Sequence, residues 1–197
     1  MKIKLLCGLD EAGRGPLAGP VTAGAVILSP DFPVEILNDS KKLSEKKREK
    51  AELMIKESCC WGIGIVDHET IDRMNILQAS LYAMKLAFDM MLLKLPEWAE
   101  AHGFSEYKVE CITDGNQLPN ISSCSSIICE PKADAKYPCV MAASIIAKVG
   151  RDRIMTEYDR QFPEYGYAKH KGYPTKAHRE ICRKIGPSPI QRLSFSY

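Results

Sequence analysis

Three acidic sites stand out among the 25 Asp and Glu residues of this 197-residue sequence, because each lies beside a predicted strand or helix. Asp10 and Glu11 end the apolar run that starts at Leu5, and a turn rich in glycine and proline follows them at once. Asp114 ends a second strand-like run and is followed by glycine, and Asp134 immediately precedes a helix-forming stretch. Carboxylates beside a glycine-rich turn suit a hard metal ion and a ligand that approaches the backbone closely.

These acids can act together only if the fold brings them to one place. If the strands that end at Asp10 and Asp114 are neighbours, the two side chains meet at one edge of the sheet, and Asp134 can complete the cluster. Clustered carboxylates repel each other unless cations neutralise them, which favours one or two Mg²⁺ or Mn²⁺ ions with oxygen ligands. A two-ion carboxylate site is the apparatus of phosphodiester cleavage. Successive strand residues face opposite sides of a sheet, so Glu11 reaches the same metal only if the strand bends.

The elements that must position these acids follow from the hydrophobic pattern. Short apolar runs predict strands at residues 3–9, 21–28, 61–66, 107–113 and 126–129. Helices are predicted at 45–56 after a cap at Ser44, at 71–95 with Pro96 ending the helix, at 140–160, and to residue 184 after a cap at Thr175. Residues 165–174 are predicted to form a loop. Strands come first and then intermix with helices, which is typical of a mixed α/β sheet with helices on its faces.

The composition limits the classes of protein to which the chain can belong. A chain of 197 residues with a formal net charge of +2 fits one soluble domain. Basic residues nevertheless concentrate at 41–50 and 169–184, and these stretches either flank an anion-binding surface or are two solvated helix faces. The eight cysteines contain no C-x-x-C pair, so we expect buried, reduced thiols in the cytoplasm. We expect no signal peptide and no run of transmembrane length.

Several motifs together resemble one known family, ribonuclease HII, in the family's own order along nearly the whole chain. They are GLDEAGRGP at 8–16, DSKKLS at 39–44, TDG at 113–115, KADAK at 132–136, ASIIAKV at 143–149, RD at 151–152 and KGYPT at 171–175. The resemblance implies a ribonuclease-H-like mixed five-stranded sheet flanked by helices. It further implies a single catalytic domain spanning 1–197, with a small helical, substrate-contacting portion at about 163–197.

The resemblance also implies an activity and its residues. The expected reaction is metal-dependent hydrolysis of the RNA strand of RNA–DNA hybrids, and incision of duplex DNA at single embedded ribonucleotides, by two Mg²⁺ or Mn²⁺ ions. The family's catalytic and metal-binding acids fall on Asp10, Glu11, Asp114 and Asp134. The substrate-binding residues fall on Gly13, Arg14 and Gly15, which contact the ribose 2′-OH, on Tyr173, which senses the junction, and on Lys41 and Lys42 near the substrate backbone. We expect a monomer without a membrane partner.

Other interpretations stay open at this stage. Each acid alone could cap a loop, Arg14 could be an ordinary turn arginine, and Tyr173 could be a packed loop aromatic. The chain could be another ribonuclease-H-like nuclease such as ribonuclease HIII, although Asp10 comes too early for the N-terminal domain usual there. It could also be a non-catalytic hybrid binder or a structural metal-binding domain. Two local departures from the family are Pro138 after Tyr137, and Cys139 and Met141 where the family more often has small residues. Both could loosen or shift the start of the helix behind Asp134.

Overall fold

The structure is a computed structural model that describes residues 2–37 and 43–196. Its strands are β1 (Ile3–Ala12), β2 (Val21–Ile27), β3 (Cys60–Val66), β4 (Tyr107–Asp114) and β5 (Ser126–Glu130). Its α-helices are α1 (Glu45–Ser58), α2 (His68–Met74), α3 (Ile76–Ala101), α4 (Pro138–Gln161), α5 (Tyr167–His170) and α6 (Lys176–Ile185). Short 3₁₀ turns occur at Val34–Ile36, Ala133–Ala135 and Pro163–Tyr165.

The strands form one mixed sheet in the order β3-β2-β1-β4-β5. β1 and β2 form the antiparallel hairpin predicted from the glycine-proline turn, and β2 pairs antiparallel with β3. β4 pairs in parallel with β1 and with β5. The prediction of a mixed five-stranded α/β sheet is therefore confirmed, and so is the neighbourhood of the first and fourth strands.

Helices cover both faces of this sheet. α3 packs on one face, against β3 and β2, and α4 packs on the other, against β1 and β2. The approach of α4 is close because β1 and β2 present glycines to it. A Cβ built on Gly8 would lie 2.2 Å from the carbonyl carbon of Cys139, and one on Gly24 would lie 2.2 Å from the carbonyl oxygen of Ala143. This contact sets the first turns of α4 directly against the end of β1.

Pro138 does not disrupt the start of α4, although the sequence suggested that it could. Pro138 occupies the first position of the helix, where a missing N–H costs nothing because that donor has no intrahelical acceptor. The proline therefore begins the helix two residues earlier than predicted and does not disturb it. Cys139 is buried against the sheet. All eight cysteines are free thiols and six are buried as predicted, whereas Cys124 and Cys129 are half-buried.

The predicted helix at 71–95 is wrong in two respects. It is two helices, α2 and α3, separated by Asn75, which has a φ of 70° and whose side chain caps α3 by accepting from the Gln78 amide at 3.1 Å. Asparagine tolerates this left-handed backbone better than most residues do. Pro96 lies inside α3 and does not end it. Burial of Leu95 and Ala99 on either side of the proline keeps the chain helical, which offsets the lost hydrogen bond.

By length and composition α3 could cross a membrane, contrary to the expectation that no such segment exists. Nine of its residues are nevertheless buried, along a face that packs on β3 and β2. This is the arrangement of the core helix of a folded domain.

The C-terminal segment returns to the turn that follows β1. The predicted loop at 165–174 contains the short helix α5, and α6 begins after Thr175, whose side chain accepts from the His178 amide as predicted. After α6 the chain runs back along residues 17–19. There the Gly19 amide donates to the Ile190 carbonyl at 2.9 Å, and the Arg192 amide donates to the Leu17 carbonyl at 2.8 Å.

Candidate active site

The predicted acids lie at one edge of the sheet. The pairing of β1 with β4 ends at Leu9 and Thr113, so the next residues, Asp10 and Asp114, follow side by side at the carboxyl ends of two parallel strands. Glu11 and Asp134 line the same cleft as these two aspartates, and the cleft has a volume of about 220 Å³. The structure thus brings together all four predicted acids.

Asp10 is the most buried of these acids, with 6% of its surface exposed. Its Oδ1 accepts a hydrogen bond from the Glu11 amide at 2.8 Å, and its carboxylate also accepts one from the Ser144 hydroxyl on α4. Burial, followed by the nearby charges of Glu11 and Asp114, raises the pKa of Asp10 well above its usual value, and the hydrogen bonds only partly oppose this. A charge held under such conditions is favourable only when a cation accompanies it.

Glu11 faces the same cleft although it is adjacent to Asp10 in the strand. β1 leaves β4 after Leu9 but stays paired with β2 as far as Ala12, and this separation opens the edge of the sheet at Glu11. Burial raises the pKa of Glu11, while Arg14 counteracts the rise through an ion pair at 3.3 Å. The sequence required a bend of the strand for Glu11 to reach the same metal as Asp10. Both side chains line the cleft, while the pairing of β1 with β2 stays regular through Ala12, so a shared metal remains a prediction.

Asp114 and Asp134 are connected through the backbone. The Ala133 amide donates to Asp114 Oδ1 at 2.8 Å, so the Ala133–Ala135 turn is fixed to the end of β4. That turn begins after Lys132, which adopts a left-handed conformation with φ of 63°. Asp134, half-buried, is carried into the cleft by this turn.

The turn at residues 13–15 forms the wall of the cleft next to the acids. Gly13 has a φ of 99°, and a Cβ there would lie 2.2 Å from Arg151 Nε, so only glycine fits. Gly15 is exposed, and a Cβ on it would lie 3.7 Å from Cε1 of Tyr173. Tyr173 is 41% exposed and also lines the cleft. The cleft therefore has carboxylates at one end and an exposed backbone turn with an aromatic ring at the other.

Two residues on α4 complete the lining and were given no role from the sequence. Ser144 bonds to Asp10, and Lys148 lies one helical turn further on, with its Nζ 2.8 Å from Asp152 Oδ1 and 6.0 Å from the Tyr173 ring centre. The available signal was their i, i+4 spacing, which places both on one face of a helix. Buried Arg151 belongs to the RD motif at 151–152 but was given no role, and buried Arg192 carried no signal in the sequence.

Among the described residues, the basic side chains that line this cleft are Arg14 and Lys148. The predicted substrate-binding residues Lys41 and Lys42 lie outside the described residues. In the second basic stretch the exposed side chains are Lys169, Lys176, Arg183 and Lys184, on α5 and α6 close to the loop that carries Tyr173. Lys171 is half-buried and donates to Thr156 Oγ1 at 3.0 Å.

The donor set fits a hard divalent cation. It consists of carboxylate oxygens, which Mg²⁺ and Mn²⁺ prefer. The pKa of Asp10 is raised first by burial and then by the negative charges of Glu11 and Asp114. Within residues 2–37 and 43–196, no group of three or more His, Cys, Asp or Glu side chains is arranged so that it could hold a metal ion, although the four acids line one cleft. Like charges are expected to stay apart in this way before a cation draws them together.

Comparisons with known proteins agree with this geometry. A family model for ribonuclease HII matches residues 7–197. A ribonuclease HII of Treponema denticola is 53% identical over 193 residues, which are 97% of this chain and 98% of that protein. The chain belongs to the ribonuclease HII family. Among solved structures, the complex of PCNA with ribonuclease HII from Archaeoglobus fulgidus matches with a TM-score of 0.71 and 26% identity, over 96% of this chain and 92% of that one.

A more distant neighbour is Bst-RNase HIII in complex with Mn²⁺, with a TM-score of 0.69 and 19% identity over 99% of this chain and 68% of that one. At this identity the likeness shows a common fold. Membership of the ribonuclease HII family makes the chain a divalent-metal-dependent ribonuclease H, a hydrolase acting on RNA–DNA hybrids. The resemblance found in the sequence is thereby confirmed, and the alternatives of ribonuclease HIII and of a non-catalytic binder are excluded.

Proposed function

We propose that this ribonuclease HII cuts the RNA strand of hybrids and also incises duplex DNA on the 5′ side of a single embedded ribonucleotide, leaving 3′-OH and 5′-phosphate ends. The observation that carries the proposal is the shared cleft, in which four carboxylates lie next to an exposed glycine-arginine-glycine turn. A carboxylate cluster that binds metal ions would hydrolyse the phosphodiester, and a backbone turn that contacts the sugar would select ribose.

The four acids would hold two ions, Mg²⁺ or Mn²⁺. When bound, such ions supply an activated water and stabilise the leaving 3′ oxygen. Asp10 and Asp114, adjacent at the strand ends, would hold the ions together with Glu11 and Asp134, which line the same cleft. Ser144 and the Glu11 amide keep the Asp10 carboxylate oriented. Because burial favours protonated Asp10 and Glu11, metal binding would release protons from them.

Recognition of the ribose would fall to the backbone of residues 13–15. Hybrids with A-form character are recognised through shape, phosphates and the 2′-OH, with little contact to base edges. Gly15 is exposed, and without a Cβ its main chain is open to a sugar. Gly13 is buried, and its missing Cβ lets the turn pack against Arg151. Arg14 is exposed, whereas its ion-pair partner Glu11, at 3.3 Å, is largely buried. The exposed guanidinium can also bind a substrate phosphate. Contacts of this kind do not distinguish base sequences.

Tyr173 would sense the residue on the 3′ side of the ribonucleotide. Its exposed ring lies beside Gly15, so a sugar that follows the bound ribose would meet the ring face. A deoxyribose leaves room there that a 2′-OH would crowd. This arrangement favours cleavage at an RNA–DNA junction.

The wider interface would be electrostatic. We assign backbone contacts to Lys41 and Lys42 and to the exposed basic residues of α5 and α6 in the C-terminal portion, residues 163–197. Such contacts bind any sequence and weaken with salt. We further propose that the protein acts as a monomer in the cytoplasm, on hybrids and on DNA that contains ribonucleotides.

The test is incision of a labelled DNA duplex containing one ribonucleotide, with Mg²⁺, with Mn²⁺ and with a chelator. Expected products end in 3′-OH and 5′-phosphate, with the cut on the 5′ side, because water is the nucleophile. An all-DNA duplex of the same sequence is the matched control. A cut on the 3′ side, a cyclic phosphate end, or cleavage of long hybrids without any incision at the single ribonucleotide would contradict the proposal.

A further inference from the structure

Arg192, in the C-terminal tail, is fully buried beneath the turn that follows β1. Its guanidinium donates to five backbone carbonyls of that turn: Gly13 at 2.7 Å, Arg14 at 3.1 Å, Pro16 at 2.8 Å, Gly19 at 2.9 Å and Pro20 at 3.0 Å. A guanidinium has five N–H groups, so the number of these bonds equals its full donor capacity. The side chain thus binds both the beginning and the end of residues 13–20.

The direction of these hydrogen bonds also fixes the direction in which the Arg14 and Gly15 amides point. In a planar trans peptide the N–H points opposite to the C=O. Since the carbonyls of Gly13 and Arg14 are turned toward Arg192, the amides of Arg14 and Gly15 in the same peptide units point away from it. These are the two peptide units of the turn that lines the cleft. Arg192 therefore determines which side of the turn presents its donors.

The tail that carries Arg192 is itself fixed at both sides. Its own amide bonds to Leu17, and the preceding Ile190 accepts from Gly19. On the following side, the Asp72 carboxylate of α2 accepts from the Leu193 amide at 2.8 Å and from the Ser194 amide at 3.0 Å. The guanidinium also lies over the Phe195 ring, 5.1 Å from its centre. The tail thus connects α2 to the turn that lines the cleft.

The charge of Arg192 is retained at neutral pH. Burial and the neighbouring Arg151 lower its pKa to about 9, which leaves it protonated in the physiological range. Its partners are neutral carbonyls, so the charge strengthens each bond. A lysine at this position keeps the charge but has only three donors and no planar fork.

We propose that Arg192 is a positioning residue for ribose recognition, which holds residues 13–15 so that the Arg14 and Gly15 amides face the substrate. This inference rests on the proposed function of the turn. Within residues 2–37 and 43–196, the hydrogen bonds of the Arg192 guanidinium all go to main-chain oxygens of residues 13–20, so its influence on the carboxylates is indirect. Its role is to set the distance and orientation of the sugar relative to Asp10.

The experiment compares Arg192→Lys with the wild type and with a matched control, Arg153→Lys. Arg153 lies on α4 and pairs with buried Glu52, away from the turn. For Arg192→Lys we expect faster hydrogen exchange confined to amides of residues 14–19 and a kcat for the single-ribonucleotide duplex reduced about 10- to 100-fold. KM should change little because phosphate contacts dominate affinity, and Mn²⁺ affinity should stay unchanged. Arg153→Lys should keep the exchange of the turn and the wild-type kcat.

A second variant distinguishes a loss of positioning from a folding defect. Asp72→Asn alters a half-buried carboxylate and weakens the hydrogen bonds to the tail on the other side of Arg192, so it should show the same changes with a smaller amplitude. All measurements are made well below the melting temperature, where a purely stabilising residue would leave kcat unaffected. Wild-type kcat in Arg192→Lys, reduced kcat with unchanged exchange of the turn, or lost Mn²⁺ binding would each overturn the inference. Absence of incision by the wild type would instead contradict the proposed function.

Discussion

The Asp114 carboxylate accepts a hydrogen bond of 2.8 Å from the Ala133 amide, and this contact joins two parts of the cleft that are distant in sequence. One oxygen of Asp114 is thereby oriented by the turn that carries Asp134. The position of one acid thus depends on the backbone next to another. The carboxylate cluster is therefore held by main-chain hydrogen bonds as well as by the sheet.

Removal of a single carboxylate charge should separate catalysis from stability. We expect Asp10→Asn and Asp114→Asn to abolish incision while the metal-free protein keeps or gains thermal stability. For Asp10 the reason is that burial and like charges already oppose its ionisation, so an amide of similar size relieves that cost. The measurements are incision at saturating Mg²⁺ and thermal unfolding in a chelator.

The same variants test metal binding. A cation that binds only the folded state at 100 times its Kd adds about 2.7 kcal/mol to the free energy of unfolding, or a rise in Tm of roughly 5–10 °C for a chain of this size. Asp10→Asn should lose most of this rise, whereas Asp31→Asn, an exposed loop residue, should retain it together with full activity. An equal rise of Tm in wild type and Asp10→Asn would contradict the assignment of Asp10 as a metal ligand.

His178 should make stability depend on pH near the Tyr173 loop. It is fully buried, stacks on His170, and its Nδ1 lies 2.9 Å from the Tyr173 carbonyl oxygen. Burial lowers the pKa of His178 below its usual 6.5, so the unfolded chain binds the proton more readily. The contribution of His178 to the free energy of unfolding is therefore fully present above about pH 6.5. It is lost as the pH falls from there through the folded pKa.

Thermal unfolding between pH 7.5 and pH 5 measures this dependence. His178→Asn keeps an amide donor near the position of Nδ1 but does not titrate, so its Tm should be lower at neutral pH and should fall less on acidification. The reading of His178 as the titrating group is wrong if wild type and variant lose Tm in parallel.

Local pattern in the sequence accounts for much of the fold and of the candidate site. Strand positions follow from runs such as residues 107–113, and capping by Ser44 and Thr175 follows from side-chain chemistry. Two features needed tertiary information. The continuation of α3 through Pro96 depends on packing against the sheet, which local pattern does not contain. Arg192 lies in an irregular tail without periodicity, and its five acceptors come from residues more than 170 positions away.

Salt dependence should reveal which lysines contact the backbone. We expect Lys42→Ala to weaken binding equally for duplexes of different sequence and to reduce the magnitude of the salt slope by about 0.7–0.9. Lys85→Ala, on α3 and paired with Asp89 at 2.6 Å, is the matched control and should leave the slope unchanged. Binding is measured by fluorescence anisotropy in Ca²⁺ over a series of salt concentrations. An unchanged slope in Lys42→Ala would mean that this lysine is only solvated.

Tyr173 offers the test of junction sensing. Its ring is 41% exposed, lies beside Gly15, and has the Arg151 guanidinium carbon 5.9 Å from its centre, which holds it next to the turn. Loss of a stacking contact costs about 1–3 kcal/mol by analogy with base stacking, or roughly one to two orders of magnitude in rate. Tyr173→Ala should therefore lower kcat/KM at an RNA–DNA junction by that factor and affect cleavage within a long RNA tract much less. Tyr173→Phe retains the ring and should remain close to wild type on both substrates. Single-turnover cleavage of the two substrates, mapped on sequencing gels, measures the ratio, and an equal loss on both in Tyr173→Ala would show that the ring supports the cleft without sensing the junction.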